Sequence, residues 1–212
     1  MKSVIITGAA GNLGLAVTDC FLKHEFKVAA CISPRDADFA LNNSNATIYP
    51  LDLTNMEDCK KCSEEIISKY KTIDAAVLTV GAFATGTMET VTKNDFDKMF
   101  ALNFMTAFNI AQPVYLQMKK QHFGGKIILI GSGPGEDGSK AAGSVAYGFS
   151  KSLLFRLAEL INSEGVQFNI SAQVIIPTTI DTPQNRLAMP TADFSKWMTP
   201  ESLANEIYLK VE

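Results

Sequence analysis

Tyr147 and Lys151 stand four residues apart in AYGFSK, a spacing that puts both on one face of a helix. An ammonium at that distance can approach a phenol oxygen. A phenol with a pKa of about 10 is a poor acid–base catalyst near neutrality, and a neighbouring cation brings it into working range. The same pair also fits an ordinary exposed helix face, because the spacing arises often by chance. A second pattern, TGAAGNLG, places Gly8, Gly11 and Gly14 directly after the β-branched run SVIIT. Glycines there permit a tight turn, close approach of bare backbone to a pyrophosphate, and close packing of helix on strand. The helix that follows offers free N–H groups and its positive end to phosphate. A Walker A loop is excluded: Leu15 follows Gly14, and in GPGEDGSK Ser139 precedes Lys140.

Other chemistries are poorly served. Cys59 and Cys62 form CKKC inside a polar helical stretch rather than at a strand-to-helix turn, and Cys20, Cys31, His24 and His122 are scattered without ligand spacing. These cysteines read as ordinary helix and strand residues. Only two histidines are available and no GxSxG elbow is present, so a Ser-His-Asp hydrolase lacks its parts.

Strand and helix signals alternate along the chain. SVIITG, KVAACI, TIYPL, DAAVLTV, GKIILIG and QFNISAQVIIP read as strands, several of them continuous apolar runs of the kind covered on both faces. Helical spacing falls over residues 13–24, 55–69, 93–121 (interrupted or joined near Asn103), 147–162 and 201–211. The alternation predicts one α/β domain over residues 1–212, a Rossmann-type, doubly wound parallel sheet of six or seven strands with helices on both faces. The Gly/Ser-rich stretch 131–144 lies between a strong strand and a strong helix, where such sheets bind ligands.

Composition sets the outer bounds. The 212 residues carry a formal net charge of −3 and are 47% hydrophobic. That length buries a core without metal or disulfide support, and the acidity disfavours a nucleic-acid footprint. No apolar run reaches the roughly 18 residues of a membrane span, and no secretory signal precedes the first strand, so a cytoplasmic protein is expected. In the 147–162 helix, Phe149, Leu153, Leu154, Phe155, Leu157, Leu160 and Ile161 make more than one face apolar. A homodimer or homotetramer is expected to cover the second face.

Taken together, the glycine loop, Tyr147 and Lys151 resemble the short-chain dehydrogenase/reductase family over nearly the whole chain. Asp52 in LDLT, with Leu53, resembles the acidic position beside the adenine. LTVG keeps the family's glycine as Gly81 but not its asparagines. Asn103 in ALNF resembles the asparagine that supports the proton relay, and Ser132 the serine that hydrogen-bonds the substrate oxygen. Ser132 stands slightly farther before Tyr147 than is usual, so Ser139 and Ser144 stay open. PTTIDTP resembles the turn past the sixth strand, with Pro177, Ile180 and Thr182 near the nicotinamide carboxamide. The tail TIDTPQNRLAMPTADFSKWMTPESLA and the loop VGAFATG resemble quinonoid dihydropteridine reductases. Met189, Asp193 and Trp197 in that tail line a substrate pocket or pack a dimer surface. Most members also continue past a helix like the last one here into a further edge strand.

The resemblance implies an NAD(P)(H)-dependent oxidoreductase moving a hydride between nicotinamide and a small carbonyl, alcohol or imine substrate. Its catalytic residues would be Ser132, Tyr147, Lys151 and Asn103. Its cofactor would rest on Gly8, Gly11, Asn12, Leu13, Gly14, Ser33, Arg35, Asp52, Leu53, Gly81, Tyr147, Lys151, Pro177, Ile180 and Thr182. An NAD site wants a carboxylate where Ile32 stands; Ser33 and Arg35 follow it and favour a 2′-phosphate, hence NADP, while Asp36 leaves NAD open. The competing readings are a dihydropteridine reductase-like activity, a non-catalytic dinucleotide-binding regulator, and a methyltransferase-like domain. The last gives no reason for the Tyr–Lys pair.

Overall fold

The structure is a computed structural model that describes Met1–Glu212. Six strands form one sheet: β1 (Ser3–Thr7), β2 (Lys27–Ile32), β3 (Ala46–Pro50), β4 (Ala75–Leu78), β5 (Gly125–Ile130) and β6 (Ile170–Ile175). Their order is β3-β2-β1-β4-β5-β6, and every pairing is parallel. Side chains alternate along each strand, so the sheet feeds two cores. Ile5, Ala76, Ile127 and Leu129 face one core together with the helices α2 (Met56–Tyr70), α4 (Thr106–Lys120) and α6 (Val145–Gly165). Val4, Ile6, Val28 and Ile128 face the other, with α1 (Asn12–Lys23) and α8 (Pro200–Val211). Burial on both faces explains why the strands read as unbroken apolar runs. No helix is long and apolar enough to cross a membrane.

The strand order reverses between β1 and β4, and a crevice opens there beyond the carboxyl ends of the strands. Thr79 ties the two strand ends together: its N–H donates to Thr7 Oγ1 at 3.1 Å and its hydroxyl to the Thr7 carbonyl at 2.7 Å. The helical signal over 93–121 resolves into α3 (Lys93–Met99), a π-helical turn (Phe100–Met105) and α4. Thr92 and Asp95 close a reciprocal capping box at its start. Two short helices were not legible in the periodicity. One is α5 (Gly133–Glu136), capped by Ser132; the other is α7 (Pro183–Ala188), capped by Thr182.

Candidate active site

The turn after β1 has the backbone its glycines imply. Gly8 sits at φ +66°, and the Gly11 N–H donates to the Gly8 carbonyl at 2.9 Å. A Cβ on Gly14 would lie 2.0 Å from that same carbonyl oxygen, so only glycine lets α1 start this close to the strand. No side chain caps α1, which leaves its first-turn N–H groups for an anion. The turn opens onto a cleft of about 770 Å³. Gly8, Gly11, Asn12, Leu13, Gly14, Ser33, Arg35, Asp52, Leu53, Gly81, Ile180 and Thr182 all line it. Pro177, just past β6, does not, and neither do Tyr147 and Lys151. The lining also includes residues the motifs did not single out: Pro34, Leu51, Thr54, Thr79, Val80, Leu102 and Thr106. Leu102 and Thr106 are four apart with Asn103 between them, a register that could have placed them on the cleft side.

At the end of the cleft beyond β2 and β3 the chain carries opposite charges. Ser33 caps a short 3-10 turn, Pro34–Asp36, by accepting from the Arg35 N–H at 3.2 Å, and Arg35 makes no ion pair. Asp36 stands beside it on the cleft wall. Asp52 accepts from the Thr54 hydroxyl and N–H at 2.7 and 2.9 Å. Those hydrogen bonds, with a smaller contribution from Arg35, hold its carboxyl below the ordinary aspartate value.

The other end of the cleft backs onto a buried polar cluster. Gly81 divides the two: a Cβ there would meet Asn103 Oδ1 at 2.7 Å and Lys151 Nζ at 3.0 Å. Asn103 is fully buried on the π-helical turn, a local widening that often marks functional sites. Its amide accepts from the Ala82 N–H at 2.7 Å and donates to the Ala82 carbonyl at 3.0 Å and to Ser150 Oγ at 2.9 Å. Lys151, 5% exposed, donates to the Ile130 carbonyl at 2.8 Å. Burial alone pulls its ammonium down to about 8. Gly135 packs so tightly on Lys151 that a Cβ would fall 2.6 Å from the lysine Cβ, which holds the stem in place.

Tyr147 enters one turn earlier on α6. Burial raises its pKa above the ordinary phenol value, and the Ser132 hydroxyl beside it pulls the other way. The expectation that Lys151 brings this phenol into the neutral range differs from what the structure shows. The ammonium is aimed at the Ile130 carbonyl, and desolvation of the phenol prevails. Among the three serines, Ser132 is the one brought to Tyr147. Ser139 bonds to Asp137 and Ser144 to the Ala141 carbonyl.

The segment past β6 folds on itself beside the cleft. Arg186 makes a bidentate pair with Asp181 at 2.6 and 2.7 Å and lies over the Phe194 ring, which packs on Trp197. Asn12 donates to Gln184 at 3.0 Å and so joins the glycine turn to α7. Met189, Asp193 and Trp197 stay out of the cleft lining, and Asp193 is occupied by Ser195 and Lys196.

A family model described as short chain dehydrogenase matches residues 2–192. This chain belongs to the short chain dehydrogenase family. It is 25% identical to a dihydropteridine reductase of Dictyostelium discoideum over 98% of this chain and 86% of the relative. It is 31% identical to a 7alpha-hydroxysteroid dehydrogenase of Bacteroides fragilis over 86% of this chain and 73% of the relative. Among solved structures, one titled "ElxO with NADP Bound" superposes with a TM-score of 0.89 at 23% identity, covering 100% of this chain and 91% of that one. The family is one of oxidoreductases, and the glycine turn that its model spans lines the crevice, with Lys151 directly behind Gly81 of the crevice wall.

Proposed function

We propose that this protein reduces a small carbonyl or imine with a nicotinamide cofactor, Tyr147 supplying the proton. The observation that carries the reading is the placement of Asn103 and Lys151 directly behind Gly81 of the cleft wall, with Tyr147 one turn before Lys151 on α6 and the Ser132 hydroxyl beside it. The cradle suits a dinucleotide, because Gly14 lets the uncapped α1 start directly against the turn, with its first-turn N–H groups free beside the cleft. When bound there, the cofactor supplies the hydride. The chain's own residues do the rest. Ser132 orients the substrate oxygen, and Tyr147, held protonated by burial, is ready to give its proton to that oxygen as it gains charge. Lys151, held on the Ile130 carbonyl behind Gly81, would hold the ribose of the bound cofactor. Asn103, locked to Ala82 and Ser150, keeps the loop and helix in register. Positioning of this kind supplies much of the rate.

The unpaired Arg35 guanidinium with Ser33 favours NADP over NAD, against the opposing Asp36. The dihydropteridine reductase relative, matched over 98% of this chain, supports an imine-like ring substrate as the second reading. An apolar groove of about 310 Å³ between α4 and α6, lined by Phe108, Tyr115, Leu116, Leu157, Leu160 and Ile161, supports assembly of like chains through those helices. The deciding experiment is NADPH oxidation by the wild type and Tyr147→Phe across a carbonyl panel. Loss of general acid catalysis predicts a drop in kcat of about 10²–10⁴-fold. A variant that keeps most of its turnover sinks the assignment.

A further inference from the structure

Three of the four cysteines gather where α2 packs on β2. Cys31 and Cys59 are fully enclosed in the core on that face of the sheet, and Cys62, one turn beyond Cys59, is half-buried against it. The CKKC spacing couples Cys62 to Cys59, but the fold couples it to Cys31 on the neighbouring strand. The Cys31 thiol donates a hydrogen bond to the Cys62 sulfur.

The four thiols differ in reactivity for physical reasons, since the thiolate is the nucleophile. Cys59 donates to the Leu53 and Asp52 carbonyls at 3.6 and 3.8 Å, and burial pushes its thiol up to about 12. Cys20 lies in the other core, donates to Asn205 Oδ1 at 3.4 Å, and is also raised by burial. Cys62 is the least enclosed of the four and the one shifted downward, the Cys31 hydrogen bond outweighing burial and the Glu65 carboxylate. Cys31 is held in place on three sides. It pairs with Thr7 of β1 and Tyr49 of β3, and its carbonyl accepts from the Ala9 N–H at 3.1 Å. An accessible thiol with thiolate character thus stands against a second thiol fixed in the sheet, the arrangement that lets a first oxidation product be captured.

We propose that Cys62 is a site of oxidation by hydroperoxides and that Cys31 closes the product to a disulfide joining α2 to β2. In the first step the Cys62 sulfur attacks one oxygen of hydrogen peroxide. The S–O bond forms, the O–O bond breaks, and the departing hydroxide takes the thiol proton to become water. In the second step the Cys31 sulfur attacks the Cys62 sulfenic acid. The S–S bond forms, the S–O bond breaks, and hydroxide leaves as water with the Cys31 proton. Two thiols lose two electrons and one peroxide is reduced to two waters. The site is independent of what occupies the cleft.

The test treats the reduced full chain with a small excess of hydrogen peroxide, blocks remaining thiols with N-ethylmaleimide, and reads intact mass and non-reducing tryptic peptides. Trypsin places Cys31 in residues 28–35, Cys62 in 62–69 and Cys59 in 36–60, so the pairing is read directly. The expected product is a monomer lighter by two hydrogens, with peptides 28–35 and 62–69 joined and released by dithiothreitol. Cys31→Ala should form no disulfide and leave a Cys62 sulfenic acid that dimedone traps. Cys62→Ser, at a half-exposed position that tolerates the change, should stay unoxidised at the same dose. A wild type that keeps its mass, a Cys59–Cys62 or intermolecular disulfide, Cys20 oxidised as fast as Cys62, or undiminished oxidation in Cys62→Ser overturns the inference.

Discussion

Lys151 offers a measurement in which the polarity of the site reads out as stability. Its ammonium goes from an ordinary value of 10.5 to about 8 because folding strips its water. Between those two values the unfolded chain binds more protons than the folded one, so stability must rise with pH across that window. The full linkage amounts to about 3 kcal/mol, of which about 1.2 kcal/mol accrues between roughly pH 7.5 and pH 9. Below about pH 8 the charge stays on and its burial opposes folding at full strength. Lys151→Met keeps an unbranched stem of similar length and removes the titration. The Ile130 carbonyl then loses its donor, but that loss is independent of pH in this range. Urea unfolding of the wild type and the variant at half-unit steps from pH 7.5 to 9 isolates the lysine as the difference between the two curves. Wild type should gain on the variant by about 1 kcal/mol over the range. A flat difference, or one that runs the other way, refutes the claim that Lys151 is a desolvated ammonium.

Removing the guanidinium by Arg35→Ala should raise the KM for NADPH about tenfold or more, the worth of a hydrogen bond to a charged group, while leaving that for NADH within about twofold. Equal effects on the two cofactors would dismiss Arg35 as the phosphate contact. On the α4–α6 face, Leu160 is 55% exposed beside the apolar groove. Leu160→Glu should convert an oligomer to monomers in sedimentation velocity with its thermal midpoint little changed; a wild type that already sediments as a monomer rules that face out as an interface.

The α/β class and the six strands were legible because a parallel sheet covered on both faces demands unbroken apolar runs, and SVIIT, KVAACI and GKIILI each carry one. The glycine turn was legible for a related reason: the 2.0 Å approach at Gly14 is a local steric demand that only one residue type meets. Helix α7 went unread because six residues are too few for a period to emerge; its signal was Thr182 followed by Pro183, a cap and a first-turn proline.

Residue types and local spacing thus determined the strands, the glycine turn and the Tyr–Lys pair, since each is set by neighbours within a few positions. Tertiary structure decided the rest. It set Ser132, rather than Ser139 or Ser144, beside Tyr147, and joined Asn103 to Ser150, which lies 47 positions away. It put Thr79 and Thr106 on the cleft wall and turned Lys151 toward the Ile130 carbonyl. It also set the sign of the Tyr147 shift, upward where the spacing alone implied downward. Desolvation depends on everything packed around a group, and that is a property of the folded whole rather than of a four-residue interval.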